Sequence, residues 1–258
     1  MPAERATIAE TKIEVRDLCV RRSGSQVLRG INFSAPALRT VAFIGAAHSG
    51  KTTLLRAINR LHDLDPDVQI SGSIKLDGAE VLTGDSDVAD LRRRAGMVFS
   101  SPATLPLPVF DNVTFGLRAM GVQDPHLLAQ RCERALRRAG AWERVSRSFS
   151  AAALSLPLDV QQQLCIARAL AVDPDLLLFD DPTAQLDPLG ALKIEEVISR
   201  LRRDYTVLLA TNDLQLAARI SDTTCYLARG EVVEIGDTTA VFSRPGDSRT
   251  EEFLAGHA

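Results

Sequence analysis

The sequence has no long apolar run. No segment approaches the roughly 20 apolar residues that a helix needs to cross a bilayer, so any membrane spanning would belong to another subunit. The first twelve residues, MPAERATIAETK, carry charge and contain no apolar stretch. We therefore expect no signal peptide at this end of the chain.

Neither sign of charge dominates the chain. Thirty lysines and arginines against 33 aspartates and glutamates give a formal net charge of −3. Proteins that bind nucleic acid usually carry a marked basic patch or excess. The charge balance therefore gives no support to nucleic acid as a partner.

Cysteine is scarce and scattered. The four cysteines lie far apart, at positions 19, 132, 165 and 225, and none has the C-x-x-C spacing. Metal sites and disulfide frameworks usually place cysteines at close, regular intervals. We therefore expect a thiol-reducing compartment and no metal site built from cysteine. The chain also contains no internal repeat and no low-complexity tract.

Against these absences, one stretch joins a strand, a glycine loop and a helix. Residues 41–44 are apolar and strand-like, residues 45–53 read GAAHSGKTT, and apolar residues then recur at helical spacing. The G-x-x-x-x-G-K-[ST] spacing in this setting predicts a phosphate-binding P-loop. Backbone N–H groups and the helix N-terminus would face the phosphate oxygens. The predicted phosphate-binding residues are Gly45, Ala46, Ala47, His48, Ser49, Gly50, Lys51, Thr52 and Thr53.

Two residues of this loop have specific predicted roles. Lys51 would reach the β- and γ-phosphates, and the Thr52 hydroxyl would hold Mg²⁺. The alternative interpretation is an ordinary glycine turn with a surface lysine. The strand before the loop and the helix after it favour the P-loop.

Apolar patterns elsewhere predict an α/β fold around the P-loop. Residues 12–20 and 27–33 alternate between apolar and polar, which indicates two strands of a half-buried antiparallel sheet. Residues 176–179 and 207–210 are continuous apolar runs, typical of buried parallel strands. Shorter strands are predicted at 74–76 and 97–99, a hairpin at Arg229-Gly230, and an amphipathic helix over 191–203 with Leu192, Val197, Ile198 and Leu201 on its apolar face.

The residue pattern of the sequence changes after position 99. Three prolines make the next segment extended, and helical patterns then dominate as far as the apolar run at 176–179. We predict an inserted helical subdomain over residues 100–163. Residues 1–99 and 164–258 would then form the α/β core, with the antiparallel β subdomain at its N-terminal end.

The order of these segments resembles the ATP-binding subunits of ABC transporters over residues 13–256. Besides the P-loop, the likeness is carried by GMVF with PLPVFDNVTFGLR, by QQQLCIARALAVDPDLLLFDDPT, by DLQLAARISD and by RTEEFLAG. Within that superfamily the chain looks most like the phosphate-importing subunit. The resemblance implies a P-loop NTPase fold of the ABC ATPase type, which agrees with the α/β prediction.

The resemblance also implies ligands and partners. The family's chains bind ATP with Mg²⁺ and meet head to tail, so that the P-loop of one chain faces the signature segment of the other. We therefore expect a second ATP-binding chain, in a homodimer or heterodimer, and membrane permease subunits that dock beside the helical insertion. The protein would lie peripherally at the cytoplasmic face of the plasma membrane.

The nucleotide-binding positions partly match the family. Asp180 stands where the family places the aspartate that orders Mg²⁺, although a strand-end cap is an alternative role. His48 replaces a glycine, at some conformational cost if its φ is positive. The aromatic residue that stacks on adenine is expected near Arg21 or Arg22, and an arginine can stack only by a weaker cation–π contact.

The positions that act on the nucleotide depart further. Ser100 replaces the glutamine that orients the attacking water, Asp181 replaces the catalytic glutamate and Asn212 replaces the switch histidine. Asp181 keeps a carboxylate, but its side chain is one methylene shorter than that of glutamate. Asn212, unlike histidine, cannot take up a proton. The signature L-S-G-G-Q is replaced by LPLDV at 156–160, where Asp159 would bring a negative charge toward the partner's γ-phosphate.

These departures lead to three hypotheses. The first is an ATP-binding subunit of a phosphate importer whose hydrolysis is slow or absent. The second is a non-hydrolysing, ATP-responsive regulatory or scaffold protein. The third is a soluble ABC ATPase of DNA repair or translation, against which the short insertion argues, because it has no room for a long coiled coil or a zinc module.

Overall fold

The computed structural model describes residues 10–83, 87–147 and 149–256. Most of the N-terminal stretch on which the expectation of no signal peptide depends, residues 1–9, lies outside these ranges. The described residues form two sheets, one of four strands and one of six. The strands are β1 (Thr11–Arg22), β2 (Ser25–Pro36), β3 (Thr40–Ile44), β4 (Val68–Leu76), β5 (Ala79–Glu80), β6 (Ala95–Val98), β7 (Leu176–Asp180), β8 (Thr206–Ala210), β9 (Thr223–Ala228) and β10 (Glu231–Asp237).

Helices cover the sheets and form the middle of the chain. They are α1 (Lys51–Ile58), α2 (Val88–Arg94), α3 (Val109–Ala119), α4 (Pro125–Arg138), α5 (Trp142–Val145), α6 (Leu158–Ala171), α7 (Pro188–Leu201), α8 (Leu214–Ile220), α9 (Thr238–Ser243) and α10 (Ser248–Leu254). None of these helices combines the length and the hydropathy that crossing a bilayer requires.

The six-stranded sheet has the order β10-β9-β3-β8-β7-β6. β3 runs parallel to β8 and to β9, and β7 runs parallel to β8 and to β6. Every residue of β3, β7 and β8 is buried, as continuous apolar runs in a parallel sheet predict. The carboxyl ends of these three strands therefore lie side by side, where ligand sites form in such sheets.

The four-stranded sheet has the order β2-β1-β4-β5 and packs against β3 and α1. Its apolar face shares one core with those elements, and the rings of Phe33 and Phe43 meet edge to face with centroids 5.0 Å apart. Leu54 and Leu55 of α1 are fully buried in the same core. This packing fixes the helix that follows the P-loop between the two sheets.

The helical insertion is continuous with the core. α3, α4 and α6 pack together, and their buried residues belong to one cluster with Leu177 of β7 and Val207 of β8. The predicted boundary at residue 163 falls inside α6. The two parts therefore share a helix at this point, and the division into core and insertion stays a prediction.

Two details of the predicted elements were wrong. The short strand at 74–76 is the end of β4, which already begins at Val68 and runs through Ser71-Gly72-Ser73. Gly72 has a φ of 109° beside an irregularity in the pairing of β1 with β4, so the glycine accommodates a bulge and does not end the strand. On α7, Leu192 is exposed and Ile194 is buried in its place.

Candidate nucleotide-binding site

The loop after β3 has the backbone that its glycines predict. Gly45 and Gly50 have positive φ values of 151° and 110°, in a region that side chains disfavour. A Cβ at Gly45 would overlap the carbonyl oxygen of Leu227, and one at Gly50 would lie 2.5 Å from Leu28 Cδ2. His48 has a φ of 63°, so the conformational cost that a positive φ carries for a side chain applies there.

Lys51 lies buried at the first position of α1. Its Nζ donates hydrogen bonds to the carbonyl oxygens of Gly45 at 2.7 Å and Ala46 at 3.0 Å, and to Asn212 Oδ1 at 2.9 Å. Only 5% of the surface of Lys51 is exposed to solvent. Burial lowers the pKa of Lys51, and the charges of Asp181 and Asp180 oppose that shift.

Among the described residues, no carboxylate forms an ion pair with Lys51 Nζ. A buried ammonium is costly unless it is paired and hydrogen-bonded. Here the ammonium donates to two loop carbonyl oxygens, to the Ser49 hydroxyl at 3.4 Å and to the amide oxygen of Asn212. The buried positive charge of Lys51 can therefore bind an anionic ligand. A phosphate group is such a ligand, because its oxygens accept hydrogen bonds from the ammonium and from the loop amides.

Thr52 and Asp180 are brought together as the sequence predicted. The Thr52 hydroxyl donates to Asp180 Oδ1 at 2.7 Å. Burial raises the pKa of Asp180, and the hydrogen bond from Thr52 opposes that shift. A hydroxyl and a carboxylate are hard oxygen ligands of the kind that Mg²⁺ takes.

The protein alone does not supply a full metal cage at this place. The part of the chain that the structure describes holds no group of three or more His, Cys, Asp or Glu side chains suited to a metal ion. Mg²⁺ commonly takes one or two protein ligands and fills its shell with substrate phosphates and water. Thr52 and Asp180 therefore fit Mg²⁺ bound together with a phosphate ligand.

Asp181 and Asn212 form a closed pair beside Lys51. Asp181 Oδ1 accepts from the Asn212 backbone N–H at 2.9 Å, and Asp181 Oδ2 accepts from Asn212 Nδ2 at 3.1 Å. Because Asn212 Oδ1 also accepts from Lys51, the three side chains make one chain of hydrogen bonds. Both carboxylate oxygens of Asp181 are thus engaged within the protein.

A cleft of about 770 Å³ opens in front of this loop. His48, Lys51, Asp181, Asn212 and Arg22 all line it, so the structure brings these predicted residues together. The predicted residues of the loop that also line it are Ala47, Ser49, Gly50, Thr52 and Thr53.

Ser100 follows β6 and is half-buried. Like Gly45, Ala46 and Asp180, it is not among the described residues that line the cleft, and its expected role stays a prediction. At the neighbouring Phe99, the carbonyl oxygen accepts from Gln162 Nε2 at 2.8 Å, and the same amide donates to the Pro182 carbonyl at 2.9 Å. Gln162 thereby ties the chain after β6 to the loop after β7.

The segment predicted to stand in place of the signature lies at the start of α6. Pro157 is the residue before the helix, and Leu158 begins it. The Asp159 carboxylate pairs with Arg144 and, at 2.8 Å, with Lys193 Nζ. Desolvation, which favours the neutral acid, is outweighed by these hydrogen bonds and charges, and the pKa of Asp159 falls to about 2. The repulsion expected from Asp159 is therefore offset by two cations of the same chain.

The structure adds cleft residues that the sequence reasoning missed. Gln26, Val27 and Arg29 from β2 and Arg229 from the turn between β9 and β10 also line the cleft. Arg229-Gly230 was predicted only as a hairpin turn. The long stretch of sequence between this turn and the P-loop carries no signal that the two meet.

Comparisons with known proteins agree with this geometry. The ABC transporter family matches residues 28–184. The Phosphate import ATP-binding protein PstB of Mycoplasma capricolum is 42% identical over 249 residues, which cover 96% of this chain and 93% of that protein. The Phosphate import ATP-binding protein PstB 3 of Streptococcus pneumoniae is 41% identical over 242 residues, which cover 94% of this chain and 97% of that protein.

A solved structure of an ABC transporter component has a similar fold. The structure of cbiO1 from Clostridium perfringens, described as part of the ABC transporter complex cbiONQ, superimposes with a TM-score of 0.79 at 25% identity and covers 95% of each chain. The P-loop, the parallel sheet and the antiparallel sheet thus belong to an architecture shared along the whole chain. The chain belongs to the ABC transporter family of ATP-binding proteins and is of the phosphate-import (Pst) type.

Proposed function

We propose that this protein is the ATP-binding subunit of an ABC importer for inorganic phosphate, and that it hydrolyses ATP slowly or not at all. The names and the near-complete coverage of its relatives support the transported ion. The replaced side chains around the cleft support the slow hydrolysis. The observation that carries nucleotide binding is the buried Lys51 ammonium, which has no carboxylate partner among the described residues and faces the cleft.

ATP would bind with its β- and γ-phosphates at Gly45–Thr53, against the loop amides and Lys51. Thr52 and Asp180 would hold Mg²⁺, which neutralises phosphate charge when bound. The hydrogen bond between these two side chains already places both oxygens at the end of β7. No rearrangement of the backbone is needed to bring the two ligands together.

Hydrolysis needs a base within hydrogen-bond reach of the attacking water. Asp181 is one methylene shorter than glutamate, and both of its oxygens accept hydrogen bonds from Asn212. A misplacement of about 1 Å can lower a rate about a hundredfold. Asn212 can stabilise charge by hydrogen bonding but cannot take up a proton.

The test is a phosphate-release assay on the purified protein with Mg-ATP, with Lys51→Ala as the blank. We expect turnover below about 1 s⁻¹, the lower end of ordinary enzyme rates, together with binding heat and thermal protection by Mg-ATP. Turnover of ordinary size would overturn the proposal of slow hydrolysis. The absence of both heat and thermal protection would overturn nucleotide binding itself.

A groove between α2, α3 and α6 supports docking on a membrane permease. Its volume is about 350 Å³, and Met97, Phe115 and Met120 contribute apolar surface. Phe115 and Met120 are about half exposed, at 51% and 53%. Arg92 and Arg168 lie at the same groove. An amphipathic cytoplasmic helix of a permease, apolar with acidic residues, complements this combination.

Docking on the permease is tested by substituting Phe115→Asp. We expect retention of the permease subunits from detergent-solubilised membranes to fall about tenfold or more, as for a buried aromatic at an interface. Leu64→Asp is the matched control, since Leu64 is also an exposed apolar residue but does not line the groove. Equal retention by Phe115→Asp and wild type would place the permease elsewhere.

Asp159 favours the second candidate, a non-hydrolysing regulator. At the segment that clamps a partner's nucleotide in the family, its carboxylate is bound within the chain by Arg144 and Lys193. Such a chain could respond to ATP without a paired catalytic cycle. Measurable ATP affinity with no hydrolysis and no co-purifying permease would favour the regulator over the importer subunit.

The proposed pairing with a second ATP-binding chain has a consequence. In a homodimer each composite site would carry every replacement. With an intact partner, one site would lack the glutamate and the histidine, and the other would lack the signature. Neither arrangement forms a site with the complete set of family residues.

A further inference from the structure

The three N–H donors of the Lys51 ammonium are all taken by acceptors of this chain. A lysine Nζ carries three such donors. Three acceptors lie at ordinary hydrogen-bond distance from it: the carbonyl oxygens of Gly45 at 2.7 Å and Ala46 at 3.0 Å, and Asn212 Oδ1 at 2.9 Å. The Ser49 hydroxyl, at 3.4 Å, lies beyond the usual range. A phosphate oxygen can therefore accept from Lys51 only if it displaces one of these three acceptors.

Two of the three acceptors are fixed by the backbone of the P-loop. The Ala46 carbonyl also accepts from the Ser49 N–H at 3.2 Å. A Cβ at Gly45 would lie 2.1 Å from the Leu227 carbonyl oxygen, so the loop packs directly on β9 at this residue. Moving either loop carbonyl would disturb these contacts, whereas Asn212 is exposed and its side chain can turn about its own bonds. Asn212 is thus the acceptor that would give way to a phosphate.

Asp181 determines which end of the Asn212 amide faces Lys51. Asn212 Nδ2 donates to Asp181 Oδ2 at 3.1 Å, and the Asn212 backbone N–H donates to Asp181 Oδ1 at 2.9 Å. Turning the amide over would bring its oxygen against the carboxylate, and two acceptors repel each other. The amide therefore presents its oxygen to Lys51 and to any phosphate beside it. Because an oxygen without a hydrogen cannot donate, Asn212 in this orientation competes with a phosphate for Lys51 and does not bind it.

This competition affects the terminal phosphate of a nucleotide more than the inner ones. In a P-loop the backbone N–H groups contact the α- and β-phosphates, and the lysine reaches the β- and γ-phosphates. A diphosphate can bind the loop amides while Asn212 stays bonded to Lys51. A triphosphate gains its contact between Lys51 and the γ-phosphate only when Asn212 moves.

We propose that Asn212, oriented by Asp181, sets the preference of this cleft between nucleoside triphosphate and nucleoside diphosphate by competing with the γ-phosphate for Lys51. Displacing Asn212 costs a triphosphate one hydrogen bond that a diphosphate leaves in place. The inference rests on the proposed nucleotide site and deepens it by naming a residue that determines its specificity.

The test is isothermal titration of Mg-ATP and of Mg-ADP into the wild-type chain and into Asn212→Ala. Removal of the competing oxygen should lower the dissociation constant of Mg-ATP about fivefold or more, the effect of one net hydrogen bond. We expect the dissociation constant of Mg-ADP to change by less than about twofold, because the diphosphate does not displace Asn212. A purely structural effect of the substitution would move both constants together, so the ratio of the two constants is the readout.

Gln215→Ala is the matched control. Gln215 also carries an amide, is exposed like Asn212, and is not among the described residues that line the cleft. We expect Gln215→Ala to leave both dissociation constants unchanged.

A double substitution tests the part played by Asp181. In the Asp181→Asn background the charge that orients the Asn212 amide is removed. Adding Asn212→Ala should then lower the dissociation constant of Mg-ATP by less than about twofold, since the effects of two interacting residues are not additive. An equal gain in both backgrounds would overturn the role of Asp181.

Two results would overturn the role of Asn212. An unchanged or higher dissociation constant of Mg-ATP in Asn212→Ala would mean that Asn212 does not compete with the phosphate. An equal fall for Mg-ATP and Mg-ADP would remove the discrimination between triphosphate and diphosphate. In both cases nucleotide still binds the wild-type chain, whereas binding heat with neither nucleotide would refute the proposed nucleotide site itself.

Discussion

At the scale of single residues, the chemistry of the cleft is decided by which groups already have partners. Lys51 contacts loop carbonyls and Asn212, and Asn212 occupies both oxygens of Asp181. The lysine therefore lacks a paired anion among the described residues, while the carboxylate that would act as base has two donors. One group is suited to bind a phosphate, and the other is poorly suited to accept a proton from water.

The substitution Asp181→Asn separates these two roles. It removes a negative charge beside the proposed phosphates, and we expect ATP affinity to rise about five- to tenfold with little change in the low rate of phosphate release. Asp180→Asn, at the adjacent residue, should instead weaken binding of Mg-ATP, because it removes a proposed Mg²⁺ ligand. Isothermal titration with and without Mg²⁺ measures both. Weaker ATP binding by Asp181→Asn would contradict the assignment.

Asp159 predicts a pH dependence of stability. Its folded pKa of about 2 lies below the ordinary value of 3.8. A depressed acid pKa stabilises the folded state above the unfolded value, and that contribution is lost as the pH falls through the folded value. We therefore expect wild type to be more stable than Asp159→Asn at neutral pH.

The difference between these two proteins should shrink as the pH falls from about 4 toward 2, the interval between the two pKa values. Urea unfolding of wild type and Asp159→Asn at matched pH measures it. Lys193→Met, which removes one of the two cations at Asp159, should reduce the same difference. A difference that does not depend on pH would mean that the ion pairs do not set the pKa of Asp159.

At the scale of elements, turns far apart in the sequence build the cleft. The turn between β9 and β10 lies on β2, and the Gly230 N–H donates to the Ser49 carbonyl of the P-loop. Gly230 has a positive φ of 82°, and a side chain there would overlap the Val27 carbonyl. The shape of the cleft where β2 meets this turn therefore depends on one glycine outside the P-loop.

Gly230→Ala tests this contact, with Gly24→Ala as its control. The two glycines have nearly equal φ values, 82° and 81°, but a Cβ at Gly24 would meet nothing within 4 Å. Both variants carry the cost of a positive φ, so the difference between them isolates the overlap with Val27. We expect Gly230→Ala to lose more than about 1 kcal/mol relative to Gly24→Ala in urea unfolding, and to bind ATP more weakly. Equal free energies of unfolding for the two variants would mean that the turn shifts to accommodate the added Cβ without cost.

At the scale of the whole molecule, one chain carries the replacements on both of the faces that are proposed to contact nucleotide. Asp181 and Asn212 stand at the P-loop cleft, and Pro157 to Val160 form the replaced signature at the start of α6. Loss of the serine hydroxyl and of both glycines removes groups that would hold a partner's γ-phosphate. ATP alone should therefore not hold two copies of this chain together.

Sedimentation with and without Mg-ATP tests this expectation. We expect the wild-type chain to remain a monomer, and a variant with residues 157–160 changed from PLDV to SGGQ to gain ATP-dependent dimerisation. The intact P-loop supplies the opposite face of that dimer. Lys51→Ala in the same variant is the control, and it should abolish the gain. A wild-type chain that dimerises on addition of Mg-ATP would contradict the role given to the signature.

The sequence by itself determined the P-loop and the buried strands. These features depend on local spacing and on periodicity, which are properties of short segments. The family resemblance added the Mg²⁺ role proposed for Asp180 and the proposed replacements at Asp181 and Asn212. The strand through Gly72 was mispredicted, because the bulge that the glycine accommodates depends on pairing with β1.

Only the tertiary structure decided which distant side chains meet. It brought Arg144 and Lys193 to Asp159, tied Asp181 to Asn212, and set Arg229 beside the P-loop. Such contacts arise from the packing of whole helices and strands. An ion pair or a hydrogen bond between two residues far apart in the chain produces no periodic pattern in the sequence, so it cannot be predicted from that sequence alone.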